Sequence, residues 1–146
     1  KHGLNKYINL VFRKNFSGQV LKANMRIVGN CEYGLLLYRD KLPKFRNNGQ
    51  MVMNCIDWNK DTISPKLHPT QKPVALSVRA FGNHIKLLNV LDLFGGSGST
   101  MIACEKQGRH ARLMELEPKY CDVIVKRWED FTGKKAVLLT ELTETA

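Results

Sequence analysis

Asn89-Val-Leu-Asp-Leu-Phe-Gly-Gly-Ser-Gly-Ser-Thr100 is the stretch on which the fold turns. Residues 89–94 form an apolar run of strand length, and it stops abruptly in glycines. Met101 to Gln107 then reads as a helix closed by Gly108, and His110 to Glu115 as a second strand. Working outward, Pro73 can open a helix in which Val74, Val78, Phe81 and Ile85 recur at helical spacing. Downstream, Pro118 opens another, with Tyr120, Ile124, Trp128 and Phe131 on one face and Gly133 just past its end. Lys135 to Leu139 reads as a last strand. Strands and helices alternating over short links require parallel pairing and right-handed crossovers. The expected fold class is α/β.

The chemistry of this stretch is that of a ligand turn. Glycines directly after a strand allow a tight turn and a close approach to the main chain. The helix that follows directs its N–H groups to the same place. Asp92, a charge at the end of an apolar strand, calls for a partner, and a cationic ligand group would supply one. Glu115 stands about 20 residues on, at the end of the second strand, where a nucleoside-binding sheet meets its ribose. Glu117, next to Pro118, reads as a helix-start residue and is the lesser candidate for that role. No Gly-Lys-Ser/Thr follows the turn, so it is not a phosphate-cradling loop. The dinucleotide pattern Gly-x-Gly-x-x-Gly is broken at Met101, which removes the close helix packing of its third glycine. A plain tight turn without a ligand is the alternative.

The first 66 residues differ in texture, and a boundary near Pro65 divides the chain into regions 1–66 and 67–146. Tyr7 to Arg13 and Glu32 to Arg39 read as strands. Arg39 to Lys66 shows almost no periodicity and reads as a long loop. The 146 residues hold 23 Lys and Arg against 13 Asp and Glu, a net charge of +10. That excess points to a polyanionic partner. In the loop, Lys41, Lys44, Arg46 and Lys60, together with Lys66, are placed to meet phosphates. Asn47, Asn48, Gln50, Asn54 and Asn59 are candidates for base edges. Trp58 reads either as a stacking residue or as a buried anchor. A basic, solvated surface with no nucleic-acid role is the alternative to all of these.

No apolar run reaches the ~20 residues of a membrane span, and no secretory signal is visible. Cys31, Cys55, Cys104 and Cys121 form no Cys-x-x-Cys pair and lack His at ligand spacing, so no metal site is expected. A reducing cytosol suits four unpaired thiols.

One further motif, His68-Pro-Thr-Gln-Lys-Pro73, stands just before a helix, and its Thr70 and Lys72 suit a carboxylate. With the glycine stretch, Met114-Glu-Leu-Glu-Pro-Lys-Tyr-Cys-Asp122 and Lys126-Arg-Trp128, it resembles the bacterial DNA amino-methyltransferases, in the order of their permuted β class. The resemblance runs from about Lys66 to the C-terminus. Upstream it is looser, with Ile8 to Lys14 and Glu32 to Arg39 similar to the family's last two sheet strands. It implies a Rossmann-like methyltransferase sheet, S-adenosylmethionine as cofactor, and methylation of an exocyclic amine of adenine or cytosine in double-stranded DNA. By motif position it assigns cofactor binding to Asp92, Phe94, Gly95, Gly96, Ser97, Gly98 and Glu115, and contact with the methionine part to Thr70 and Lys72.

The family's catalytic motif, Asp/Asn/Ser-Pro-Pro-Tyr/Trp, has no counterpart here, because no two prolines are adjacent. No catalytic residue is therefore assigned. The resemblance implies the C-terminal portion of an enzyme, with an incomplete sheet and a missing N-terminal part or partner chain that carries the motif. Exposed sheet edges follow, and with them a chain that is marginal, rearranged or dependent on a partner. Two further readings stand beside it: a catalytically inactive cofactor- and DNA-binding module or half of a split enzyme, and a nicotinamide dehydrogenase fragment, which Met101 and the Lys-Pro motif oppose.

Overall fold

The structure, a computed structural model, describes residues 3–14, 31–42, 51, 53–58, 71–82 and 88–139. These fall into two compact units, one with three strands and a helix, the other with two strands and two helices.

In the first unit, β1 (Asn5–Lys14) pairs antiparallel with β2 (Cys31–Tyr38). Register runs from Asn5 opposite Tyr38 to Arg13 opposite Cys31, with a bulge between Lys6 and Ile8. These are the two strands expected from composition, each within two residues of its expected bounds. A third was not expected. The stretch read as an unbroken loop contains β3 (Cys55–Trp58), parallel to β1, giving the order β2-β1-β3. Four residues give too little alternation to show as a strand. What holds them is non-local: Arg13 Nε donates to Asp57 Oδ1 at 2.6 Å, and the Val11 N–H donates to the Asn54 carbonyl at 2.9 Å. Asn54 Nδ2 also donates to the Asn9 carbonyl at 3.0 Å, so this candidate base-reading side chain is tied into the sheet. The unit is completed by α1 (Val74–Gly82), which Pro73 precedes as expected; Val74 is buried, and Ile85 lies outside the described residues.

The second unit contains β4 (Asn89–Asp92), α2 (Ser99–Lys106), β5 (His110–Leu113) and α3 (Pro118–Thr132). β4 and β5 pair in parallel, Asn89 opposite His110 through Asp92 opposite Leu113, as their short crossover requires. Both strands end before the expected residues, because carboxylates take over the backbone. Asp92 Oδ1 accepts the Phe94 N–H at 3.0 Å; Glu115 Oε1 accepts those of Leu116 and Glu117 at 3.0 and 3.1 Å. Such local side-chain bonds compete with the ladder and stop it.

Behind the strands, Ile102, Ala103 and Cys104 of α2 and Ile124 of α3 are buried, while Leu91, Leu93 and Met114 are exposed. α3 starts with Pro118 after an extended Glu117, the helix-start role read for that residue, and ends at left-handed Gly133. Residues 134–139 form no strand, contrary to expectation, and Val137, Leu138 and Leu139 are exposed. An apolar run becomes a strand only against an edge that completes its hydrogen bonds, and none is placed there among the described residues. The segment is tied instead to α3, where Glu129 accepts from Lys135 Nζ and from the Ala136 N–H, each at 2.9 Å. Among the described residues no helix is long and apolar enough to cross a membrane.

Candidate functional site

The glycine turn joins β4 to α2, and its backbone is fixed from several sides. The Gly95 N–H donates to the Met114 carbonyl and the Met114 N–H to the Asp92 carbonyl, each at 2.8 Å, so the turn is bonded to the end of β5. The Gly98 N–H closes back on the Gly95 carbonyl at 2.8 Å. The Gly96 N–H donates to Glu115 Oε2 at 2.7 Å. The two carboxylates singled out in the sequence thus stand at the carboxyl ends of neighbouring parallel strands, with the turn beside them.

The glycines are not equivalent. Gly96 has φ 54°, and among the described residues a Cβ there would meet only the Phe94 carbonyl at 3.9 Å, which leaves this side of the turn open among them. A Cβ on Gly95 would stand 3.0 Å from Ile124 Cδ1 and 3.3 Å from Leu113 Cδ2. On Gly98, with φ 76°, it would stand 3.3 Å from both Ile124 Cγ1 and Cγ2. Gly95 and Gly98 therefore admit α3, and only Gly96 of the three leaves space. A helix does pack closely on the turn, but it is α3, through Gly95 and Gly98.

The remaining assigned positions divide similarly. Asp92 is half-buried; its Oδ1 holds the Phe94 N–H, and Oδ2 has no partner among the described residues. Phe94 is 87% exposed, a bare ring at the start of the turn. Ser97 is only 4% exposed and its hydroxyl faces α3, so the side chain offers a ligand almost nothing. Glu115 is half-buried and held by three backbone N–H groups, those of Gly96, Leu116 and Glu117. Lys72 belongs to the first unit, where its ammonium pairs with Glu32. Of the basic candidates Lys41 is exposed. Thr70, Lys44, Arg46, Lys60 and Lys66, and the side chain of Trp58, lie outside the described residues.

Two residues that hold the turn were not picked out as site residues. Ile124 fills the space under Gly95 and Gly98. One helical step on, Arg127 Nη1 donates to the Ser97 carbonyl at 2.8 Å, Ser97 Oγ at 3.2 Å and Ser99 Oγ at 3.4 Å. The signal for Arg127 is a cation flanking the apolar face of Tyr120, Ile124 and Trp128, where a merely solvated charge is out of place. Behind the turn, burial pushes the Cys104 thiol above its ordinary 9.0, so it stays a neutral core group. Among the described residues no cluster of His, Cys, Asp and Glu is placed to hold a metal ion.

The fold is shared with proteins of solved structure. The M1.HpyAVI protein, solved as a complex with SAM, superposes with a TM-score of 0.69 at 27% identity, over 86% of this chain and 63% of that one. The PvuII DNA methyltransferase (cytosine-N4-specific) gives a TM-score of 0.70 at 18% identity, over 82% of this chain and 50% of that one, a likeness of fold alone. The chain thus spans less than two thirds of the length of either. The profile of the N6/N4 methyltransferases, described as DNA methylase, matches residues 10–126, most of the sequence. The α/β unit with its glycine turn and the extent of that match establish that the chain belongs to the N6/N4 DNA methylase family.

Proposed function

We propose that the protein transfers a methyl group from S-adenosylmethionine to the exocyclic amine of a base in a specific DNA sequence. Residues 67–146 hold the cofactor, residues 1–66 add part of the DNA surface, and the protein works in the cytosol. The observation that carries this is the pair Asp92 and Glu115 at the ends of β4 and β5, with Gly96 open beside them. The residues present fit the cofactor. One oxygen of Asp92 has no partner among the described residues and is suited to the cationic amine of a methionine moiety. Glu115 is aimed by three backbone donors and accepts ribose hydroxyls on oxygens it shares with them. The Phe94 ring offers an apolar surface to a flat or aliphatic group.

When bound, S-adenosylmethionine supplies an electrophilic methyl group on a sulfonium. The residues around the turn hold and orient it, and such positioning is worth several powers of ten in rate when the attacking nitrogen is in line. Thr70 and Lys72 are the candidates for the methionine carboxylate. The target amine is out of reach inside a base stack, so the base leaves the duplex to react. Lys41, Lys44, Arg46 and Lys60 meet the phosphates, which makes binding steeply salt-dependent.

The Pro-Pro-aromatic motif that would receive the base is not in this sequence. It belongs in this proposal to a preceding part of the protein or to a partner chain. The same absence favours a second reading, a module that binds cofactor and DNA without catalysis. Transfer of labelled methyl groups from S-adenosylmethionine to duplex DNA separates the two. The 146-residue chain alone should transfer none, and the chain joined to or mixed with the motif-bearing segment should be active. Inactivity of the complete assembly, with cofactor bound, would leave the binding module. Preference for a nicotinamide dinucleotide would discard both.

A further inference from the structure

We infer that Arg127 is a positioning residue of the cofactor turn: from α3 its guanidinium pins Ser97 and Ser99 and so sets the backbone that Gly96 presents to the ligand. Three distances carry this, 2.8 Å to the Ser97 carbonyl, 3.2 Å to Ser97 Oγ and 3.4 Å to Ser99 Oγ, all from Nη1. Both serines are buried and Arg127 is half-buried, so the contacts are partly shielded from solvent. Gly96 precedes Ser97 directly, and Gly98 lies between the two serines. Movement at Ser97 therefore moves both peptides.

The charge argues for more than a structural tie. Ser99 is the first residue of α2, and a helix N-terminus carries partial positive charge. A cation there works against the dipole, whereas a neutral donor such as Gln would satisfy the same oxygens without that cost. Arg127 and the dipole together raise the potential at the turn, which suits the Glu115 carboxylate that the Gly96 N–H holds there. All three contacts come from the one nitrogen Nη1, which the ammonium of a lysine, on a shorter stem, would match only in part.

Amide exchange and ligand affinity in the 146-residue chain test this, with Arg127→Met and Arg127→Lys as variants. In Arg127→Met the Gly96 and Gly98 amides should exchange about tenfold faster, the effect of losing one charge-assisted hydrogen bond, while the Met114 amide keeps its rate. S-adenosylmethionine affinity should fall by a similar factor, and Arg127→Lys should recover part of both. If Arg127→Met does not fold, Arg127→Lys should still show the intermediate change in both readouts. Unchanged Gly96 and Gly98 exchange would overturn the inference, and so would a uniform acceleration that includes Met114. The affinity arm rests on the cofactor reading and the exchange arm does not. If the unsubstituted chain fails to bind S-adenosylmethionine, that reading falls and exchange alone decides the role of Arg127.

Discussion

Gly96 and Gly98 stand two residues apart, both with positive φ, yet a methyl group added to each meets different surroundings. At Gly98 it would carry the left-handed cost of an L-residue and crowd two Ile124 carbons at 3.3 Å. At Gly96 it would carry the conformational cost alone and point into open space. Gly98→Ala should therefore destabilise the fold by about 2 kcal/mol, and Gly96→Ala by less. Ligand affinity should show the reverse, with Gly96→Ala losing more because its methyl group occupies the side a ligand approaches. Denaturant melts and cofactor titration of the two variants measure this. Equal stability losses would mean that Ile124 does not bear on the turn. The sequence announces that glycines are needed here but not which of them serves α3, because that depends on a contact across 26 residues.

α3 is the element on which the second unit depends. Ile124 and Arg127 face the glycine turn, Trp128 Nε1 donates to Glu105 Oε2 of α2 at 3.2 Å, and Glu129 ties the segment beyond the helix. The Lys135 ammonium and the Ala136 N–H hold the Glu129 carboxyl below its ordinary 4.5. A lowered carboxyl stabilises the folded form fully above the unfolded value, and that contribution is lost as pH falls through the folded one. A carbon-detected titration should place the Glu129 midpoint below 4.5 and show the Ala136 amide moving with the same midpoint. An Ala136 amide indifferent to that step would mean the tie is absent. This tie also accounts for the segment read as a strand. Its apolar residues were legible, but whether an edge lay within reach was not. β3 is the converse case, a strand with little pattern of its own, made by pairing with β1 across 44 residues. The helices were legible from proline, glycine and periodicity because those signals are local.

For the molecule, the fold class and the family motifs were legible because β4, the turn and β5 lie within 27 residues, and the chemistry is concentrated there. Less legible was how much apolar surface the chain exposes. Only five hydrophobic residues are buried among those described, while Tyr33, Leu35, Leu91, Phe94 and Leu116 are each more than half exposed. The proposed function rests on one local structure, the turn and its two carboxylates. Titration calorimetry of the chain with S-adenosylmethionine, repeated with Asp92→Ala, measures that most directly. A single site should appear in the unsubstituted chain and vanish in Asp92→Ala, whose circular dichroism should be unchanged. Undiminished affinity in Asp92→Ala would contradict the account.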